Sequence, residues 1–166
     1  MLYLSYSPSA PLRHFVERMW LIWGGQETRR ECILPNGTIE LVINLLHDRV
    51  RIDRTEQATQ VQTFSGAVVS GTYSSAFVID AIQHAAMLGV HFRPAGAYAV
   101  LGVPLTEFAN KHTDLAALWG DNTSSVSWSI DFGRIDSCIL SSHSRSIHLG
   151  LTGSEPQSKT SHDRAA

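Results

Sequence analysis

Eight histidines, two cysteines and a glutamate set inside an apolar strand are the side chains of this 166-residue chain with chemistry to offer. A metal centre would need several of the histidines on one surface. His84 and His91 lie seven apart, and odd spacing on a continuous strand sends them to opposite faces, so they do not chelate together. His143 and His148 sit in a serine-rich tail without supporting pattern. The chain has no H-E-x-x-H, and no H-x-H followed by Glu of the kind a metal-binding barrel uses. Nucleophilic chemistry fares no better. The chain has no G-x-S-x-G; Ser70-Gly71 reads as a strand end, and Cys32 beside Glu31 reads as a small core hydrophobe. The segment GTYSSA at 71–76 lacks the glycine spacing and lysine of a phosphate loop. The expectation is a non-enzyme with no catalytic residue, metal or cofactor.

One polar pair stands apart. Glu40 lies within the apolar strand TIELVIN, and Arg93 ends the strand GVHFR. A charge embedded in an apolar strand must face water or find a partner, so Glu40 and Arg93 either both lie on a solvated face or are neighbours in a structural ion pair. Four aromatics, Trp20, Trp23, Phe92 and Tyr98, are either core residues, as apolar residues in strands normally are, or candidates to line a ligand cavity if the strands close around one.

The formal net charge is −2, arginine far outnumbers lysine, and no run is densely basic, so no electrostatic footprint for nucleic acid is visible. No window holds the roughly 18 uninterrupted apolar residues of a membrane helix. MLYLSYSPSAP lacks a cationic segment ahead of an apolar run, so no signal peptide is expected. Cys32 and Cys138 form no C-x-x-C and read as reduced thiols in a cytoplasmic protein.

The elements that must position these residues are mostly short strands. Leu2 to Tyr6 alternates, and Pro8 and Pro11 follow it. Leu12, Phe15, Val16 and Met19 are helically spaced, which predicts a short helix running directly into a strand through Trp23. Two strands, 28–34 and 38–45, flank Pro35-Asn36-Gly37, which is turn chemistry and predicts a hairpin. Further strands are predicted at 49–53, 61–64, 67–70, 77–82 and 86–92. Pro94 then ends the strand GVHFR, and Ala95 to Leu101 is small and apolar, the pattern of a helix clamped to a sheet. Gly102 suits a left-handed exit, and Pro104 suits the start of a second short helix. Thr113 or Asp114 is placed to cap a last helix, LAALW. The fold expected is α+β and mainly β: a cupin-like barrel or a sandwich of short antiparallel strands, followed by short helices. Composition shifts near Asp121. Residues 121–166 hold 12 serines among 46 residues and read as a poorly ordered tail after a domain at 1–120.

Three segments carry a family resemblance: PLRHFVERMW at 11–20, ILPNGTIELVIN at 33–44, and GVHFRPAGAYAVLGVPLTEFANKHTDLAALWG at 89–120. In that order they resemble the N-terminal domain of a group of bacterial AraC-type transcriptional regulators, in the version described as a domain of unknown function. The resemblance implies a β-rich domain that senses a small-molecule effector or supports dimerisation, ahead of two helix-turn-helix units that bind promoter DNA. Those units need roughly 100 residues. The tail is shorter, carries a net −1 and shows no such pattern, so DNA binding is expected of full-length relatives and not of this chain. The expectation is a truncated or frameshifted member able to bind effector, or to form a homodimer or a mixed dimer with an intact relative. A stand-alone small-molecule-binding β-barrel and a cupin-type enzyme are the alternatives.

Overall fold

The segment TIELVIN shows how the layers are built. Leu41 and Ile43 are wholly buried on one side of their strand, while Glu40, Val42 and Asn44 face the other way. Burying two such side chains contributes about 1.5–3 kcal/mol each. A strand with both faces occupied belongs in the middle of the structure, and this one lies there.

The computed structural model describes residues 1–24, 30–53, 61–80 and 85–119, with strands at 129–130, 137–142 and 145–150. In chain order the strands are β1 (Leu2–Tyr6), β2 (Val16–Trp23), β3 (Arg30–Ile33), β4 (Glu40–Asn44), β5 (Arg49–Asp53), β6 (Val61–Ser65), β7 (Ala67–Ser70), β8 (Phe77–Asp80), β9 (Ala86–Phe92) and β10 (His112–Asp114). The helices are α1 (Gly96–Leu101) and α2 (Leu115–Trp119), with single 3-10 turns at Leu12–His14 and Leu105–Phe108. A six-stranded sheet has the order β1-β2-β9-β4-β7-β10, and a four-stranded sheet the order β3-β8-β5-β6; every pairing is antiparallel. The two sheets do not close into a barrel. The fold is mainly β, a sandwich with few short helices. The tail contributes β11 (Ser129–Ile130), β12 (Ser137–Ser142) and β13 (Arg145–Gly150), which pair with one another in a third small sheet.

The six-stranded sheet carries a core on each face. On one face Leu41, Ile43, Val69, Leu88 and Val90 pack with Ala97, Leu101, Phe108 and Leu115 from the helical segments. On the other, Val68 packs with Val50 and Ile52 of the four-stranded sheet, and with Val42, Phe64, Phe77 and Ile79.

Three expectations are corrected. The stretch from Leu12 to Met19 is no helix: three residues form a 3-10 turn and β2 begins at Val16. A bulge between Val16 and Arg18 is the reason. It inserts one residue, so Val16 and Met19, three apart, face the same core as i,i+3 residues of a helix would. The segments around Pro35-Asn36-Gly37 are not a hairpin, because β3 pairs with β8 while β4 pairs with β7 and β9. The turn instead carries the chain from one sheet to the other, held by the Asn36 Oδ1, which accepts from the Thr38 N–H and hydroxyl at 3.0 and 2.9 Å. His112–Asp114, for which the sequence predicts no strand and only a helix cap at Thr113 or Asp114, is a strand against β7.

The junction after β9 follows the expected plan. Strand ends at Phe92, α1 follows, Gly102 closes it in the left-handed region at φ 73°, and Pro104 precedes the 3-10 turn. Gly96 packs so closely under Phe15 that a Cβ would collide with that residue's carbonyl.

Candidate functional site

Strand registry aligns five polar side chains in one row across the six-stranded sheet. Arg18 of β2 is opposite His91 of β9, His91 opposite Glu40 of β4, Glu40 opposite Ser70 of β7, and Ser70 opposite His112 of β10. Directly opposed residues share a face, so the row points as a unit toward the four-stranded sheet. The next row is Trp20, Gly89, Val42, Val68 and Asp114, and beyond it lie Ile22 and Met87. One face thus grades from a polar edge to an apolar floor.

Two hydrogen-bonded clusters hold the polar row. In the first, the Trp20 indole donates Nε1–H to Glu40 Oε1, and His91 Nε2 lies 2.9 Å from the same oxygen. That contact places the His91 proton on Nε2, so Arg18, 3.4 Å from this nitrogen, is a neighbour and not its donor. His91 Nδ1 lies 3.5 Å from the Thr38 hydroxyl. In the second cluster, Ser70 Oγ is 3.3 Å from His112 Nε2, and the Tyr73 hydroxyl is hydrogen-bonded to His112 Nδ1. Tyr73, tilted, and Phe77, edge-on, pack against the same imidazole with ring centroids 4.7 Å away, and Phe64 stands 5.9 Å off. Gly89 makes the first cluster possible. The Trp20 indole lies across it, and a Cβ there would fall far inside the ring's van der Waals surface.

Below the second cluster, Asp114 ties three elements together. It accepts from the Ser65 N–H at 2.8 Å, from the Ser65 hydroxyl, and from the Ala116 N–H at 3.1 Å, which is the N-cap bond of α2. Burial alone would raise this carboxyl, but the Ser65 and Ala116 hydrogen bonds together outweigh it and hold the group below its ordinary value.

A cavity of about 200 Å³ opens between the sheets over this face. Trp20, Ile22, Val42, Val68 and Met87 line it from the six-stranded sheet, and Ile33, Val50, Ile52, Phe77 and Ile79 from the four-stranded one. Glu40, Ser70 and His112 supply its polar wall, with Glu31 and Arg51 across from them.

The family model for a domain of unknown function, DUF6597, matches residues 4–114, which are the strands that build this cavity. The chain belongs to the DUF6597 family. No curated protein and no solved structure matches it.

Of the four aromatics with a core or a cavity reading, the DUF6597 sandwich brings one to the cavity. Trp20 lines it, whereas Trp23 is 40% exposed, Phe92 is 2% exposed in the core on the opposite face, and Tyr98 is 56% exposed on α1. Strand parity explains the split: Trp20 and Trp23 are an odd number apart, and Phe92 follows His91 by one. Glu40 and Arg93 are given different partners. Glu40 bonds to Trp20 and His91, and Arg93 donates Nε–H to the Arg13 carbonyl at 2.6 Å. Arg93 thereby pins the end of β9 to the turn before β2, a bond doubled by its own N–H to the Phe15 carbonyl at 2.9 Å. Cys32 is exposed and not in the core, while His84 lies outside the described residues. His112 escaped the sequence reading, which took Ser70 only as a strand end and Tyr73 only as part of a segment that fails as a phosphate loop. The one sequence signal for the three is that AVVS, an apolar strand, ends on a hydroxyl.

Proposed function

We propose that this DUF6597 domain is the effector-sensing half of an AraC-type transcriptional regulator, and that the cavity between its sheets receives a small-molecule effector. The observation that carries the proposal is the cavity itself: apolar walls from both sheets, meeting a short polar row whose members are positioned by hydrogen bonds. Such a combination is the usual form of a small-molecule site. The three segments that resemble AraC-type regulators support it, since they contain β4 and parts of β2 and β9, the adjacent strands under the cavity.

Signal leaves by a short route. His112 lines the cavity and is the first residue of β10; Asp114 is the last and caps α2. A ligand that reorients His112 therefore acts on the N-terminus of α2 two residues later. In AraC-type relatives the DNA reader follows this helical end. Differential contact with two arrangements of β10 and α2 is what would turn binding into regulation.

The test is an NMR titration of the full chain with 2-phenylethanol, a neutral ring of suitable size. Resonances of Val42, Val68 and Met87 should shift, and those of Leu115 and Leu118 in α2 should shift with them. Val68→Trp, which fills the space, should abolish both. Absence of cavity shifts with 2-phenylethanol and equally with its amine and carboxylate counterparts would overturn the ligand site. Cavity shifts without any response in α2 would overturn the sensory role.

A further inference from the structure

We propose that the cavity selects a small organic amine, with the ammonium held by Glu40 and a single ring or branched alkyl body between the sheets. The inference rests on the cavity being a ligand site and goes further by assigning the ligand's charge.

Size comes first. A dry apolar cavity of about 150 Å³ holds a benzene molecule. At about 200 Å³ this cavity takes one ring and a short substituent. The walls, Ile22, Val42, Val68, Ile79 and Met87 among them, offer no hydrogen bond to that body.

Charge is decided at Glu40. Both protein donors, Trp20 Nε1 and His91 Nε2, converge on Oε1. Among the described residues Oε2 has no partner. An ionised carboxylate only accepts, so the capacity left at this end of the cavity calls for a donor from the ligand. A cationic donor is favoured over a neutral one because charge-assisted hydrogen bonds are roughly twice as strong. The Trp20 indole, fixed to the same carboxylate, adds an aromatic neighbour of the kind that attracts ammonium groups. Glu31 lines the opposite wall, so the lining holds two carboxylates and one guanidinium, that of Arg51. Ser70 and His112 both donate and accept, and do not discriminate.

Three ligands sharing one body separate the possibilities: 2-phenylethylamine, 2-phenylethanol and 3-phenylpropionate, titrated calorimetrically into the full chain at pH 7.5. The amine should bind about tenfold or more tightly than the alcohol, and the acid most weakly. Glu40→Gln keeps a carbonyl for the Trp20 bond and should bring amine and alcohol to within about twofold, with the alcohol unchanged. Glu31→Gln, which removes the lining's other carboxylate, should reduce the amine's advantage less than Glu40→Gln does. Equal binding of amine and alcohol, tightest binding by the acid, or loss of preference in Glu31→Gln but not Glu40→Gln would each overturn the proposal while leaving the cavity as a ligand site. Failure of all three to bind would overturn the ligand site with it. The wild-type comparison decides the matter even if a variant fails to fold.

Discussion

At the scale of residues, Gly89 and Trp20 form a test of which force governs the site. Glycine inside a strand is unfavourable relative to alanine by roughly 0.5–1 kcal/mol, so backbone propensity alone says Gly89→Ala should stabilise. The indole lying on Gly89 says the opposite, because the added methyl must displace a ring held to Glu40. Steric conflict should win. We expect Gly89→Ala to destabilise by about 1–3 kcal/mol in chemical denaturation and to move the Trp20 indole N–H resonance. In a Trp20→Ala background the same change should be neutral or stabilising, and a cycle showing no coupling would refute the packing argument. Sequence made Glu40 visible as a charge in an apolar strand, but not its partners. Those depend on cross-strand register, which sets His91 and Ser70 on either side of Glu40 and leaves Arg93 at the Arg13 carbonyl. Local sequence contains no record of that alignment.

At the scale of elements, the short C-terminal pieces are held by Asp114. Its carboxylate joins β6, β10 and α2, and a depressed carboxyl pKa means the folded state prefers the ionised form. The linked stability is therefore fully present above the unfolded-state value and is lost as pH falls through the folded one. Asp114→Ala should cost about 1–2 kcal/mol at neutral pH, the range of a lost N-cap. The gap between variant and wild type should narrow in thermal melts taken at pH values descending below 3.8, the ordinary value of this carboxyl. A gap independent of pH would mean the side chain acts by packing alone. LAALW and its cap were legible because capping is local. So was the passage from β9 to α1, where proline, small residues and Gly102 act over adjacent positions. The route of β3 was not: Pro35-Asn36-Gly37 turns the chain equally well into a hairpin or into the opposite sheet. Nor was the start of β2, whose bulge gives a strand the spacing of a helix.

At the scale of the whole molecule, the central sheet separates two jobs. Its helix-facing side holds most of the core, and its other side holds the cavity. The helical cover is thus structural as well as a candidate signal path. Leu115 is 1% exposed, and Leu118 and Trp119 pack against the same core, although the family match stops at residue 114. A chain ending at Asp114 loses the Leu115 side chain and the Ala116 N–H that Asp114 accepts. Removing a buried leucine side chain typically costs about 2–5 kcal/mol. That is a large share of the roughly 5–15 kcal/mol that holds a domain together. Residues 1–114 should therefore unfold at distinctly lower denaturant than residues 1–119. Strands β11 to β13 pair only with one another among the described residues, so residues 1–119 should match the full chain's transition for the sandwich. Intrinsic tryptophan fluorescence during urea unfolding reads both comparisons. If residues 1–119 were instead much weaker than the full chain, the serine-rich segment would be part of the folding unit, and the boundary read from composition near Asp121 would have to move outward.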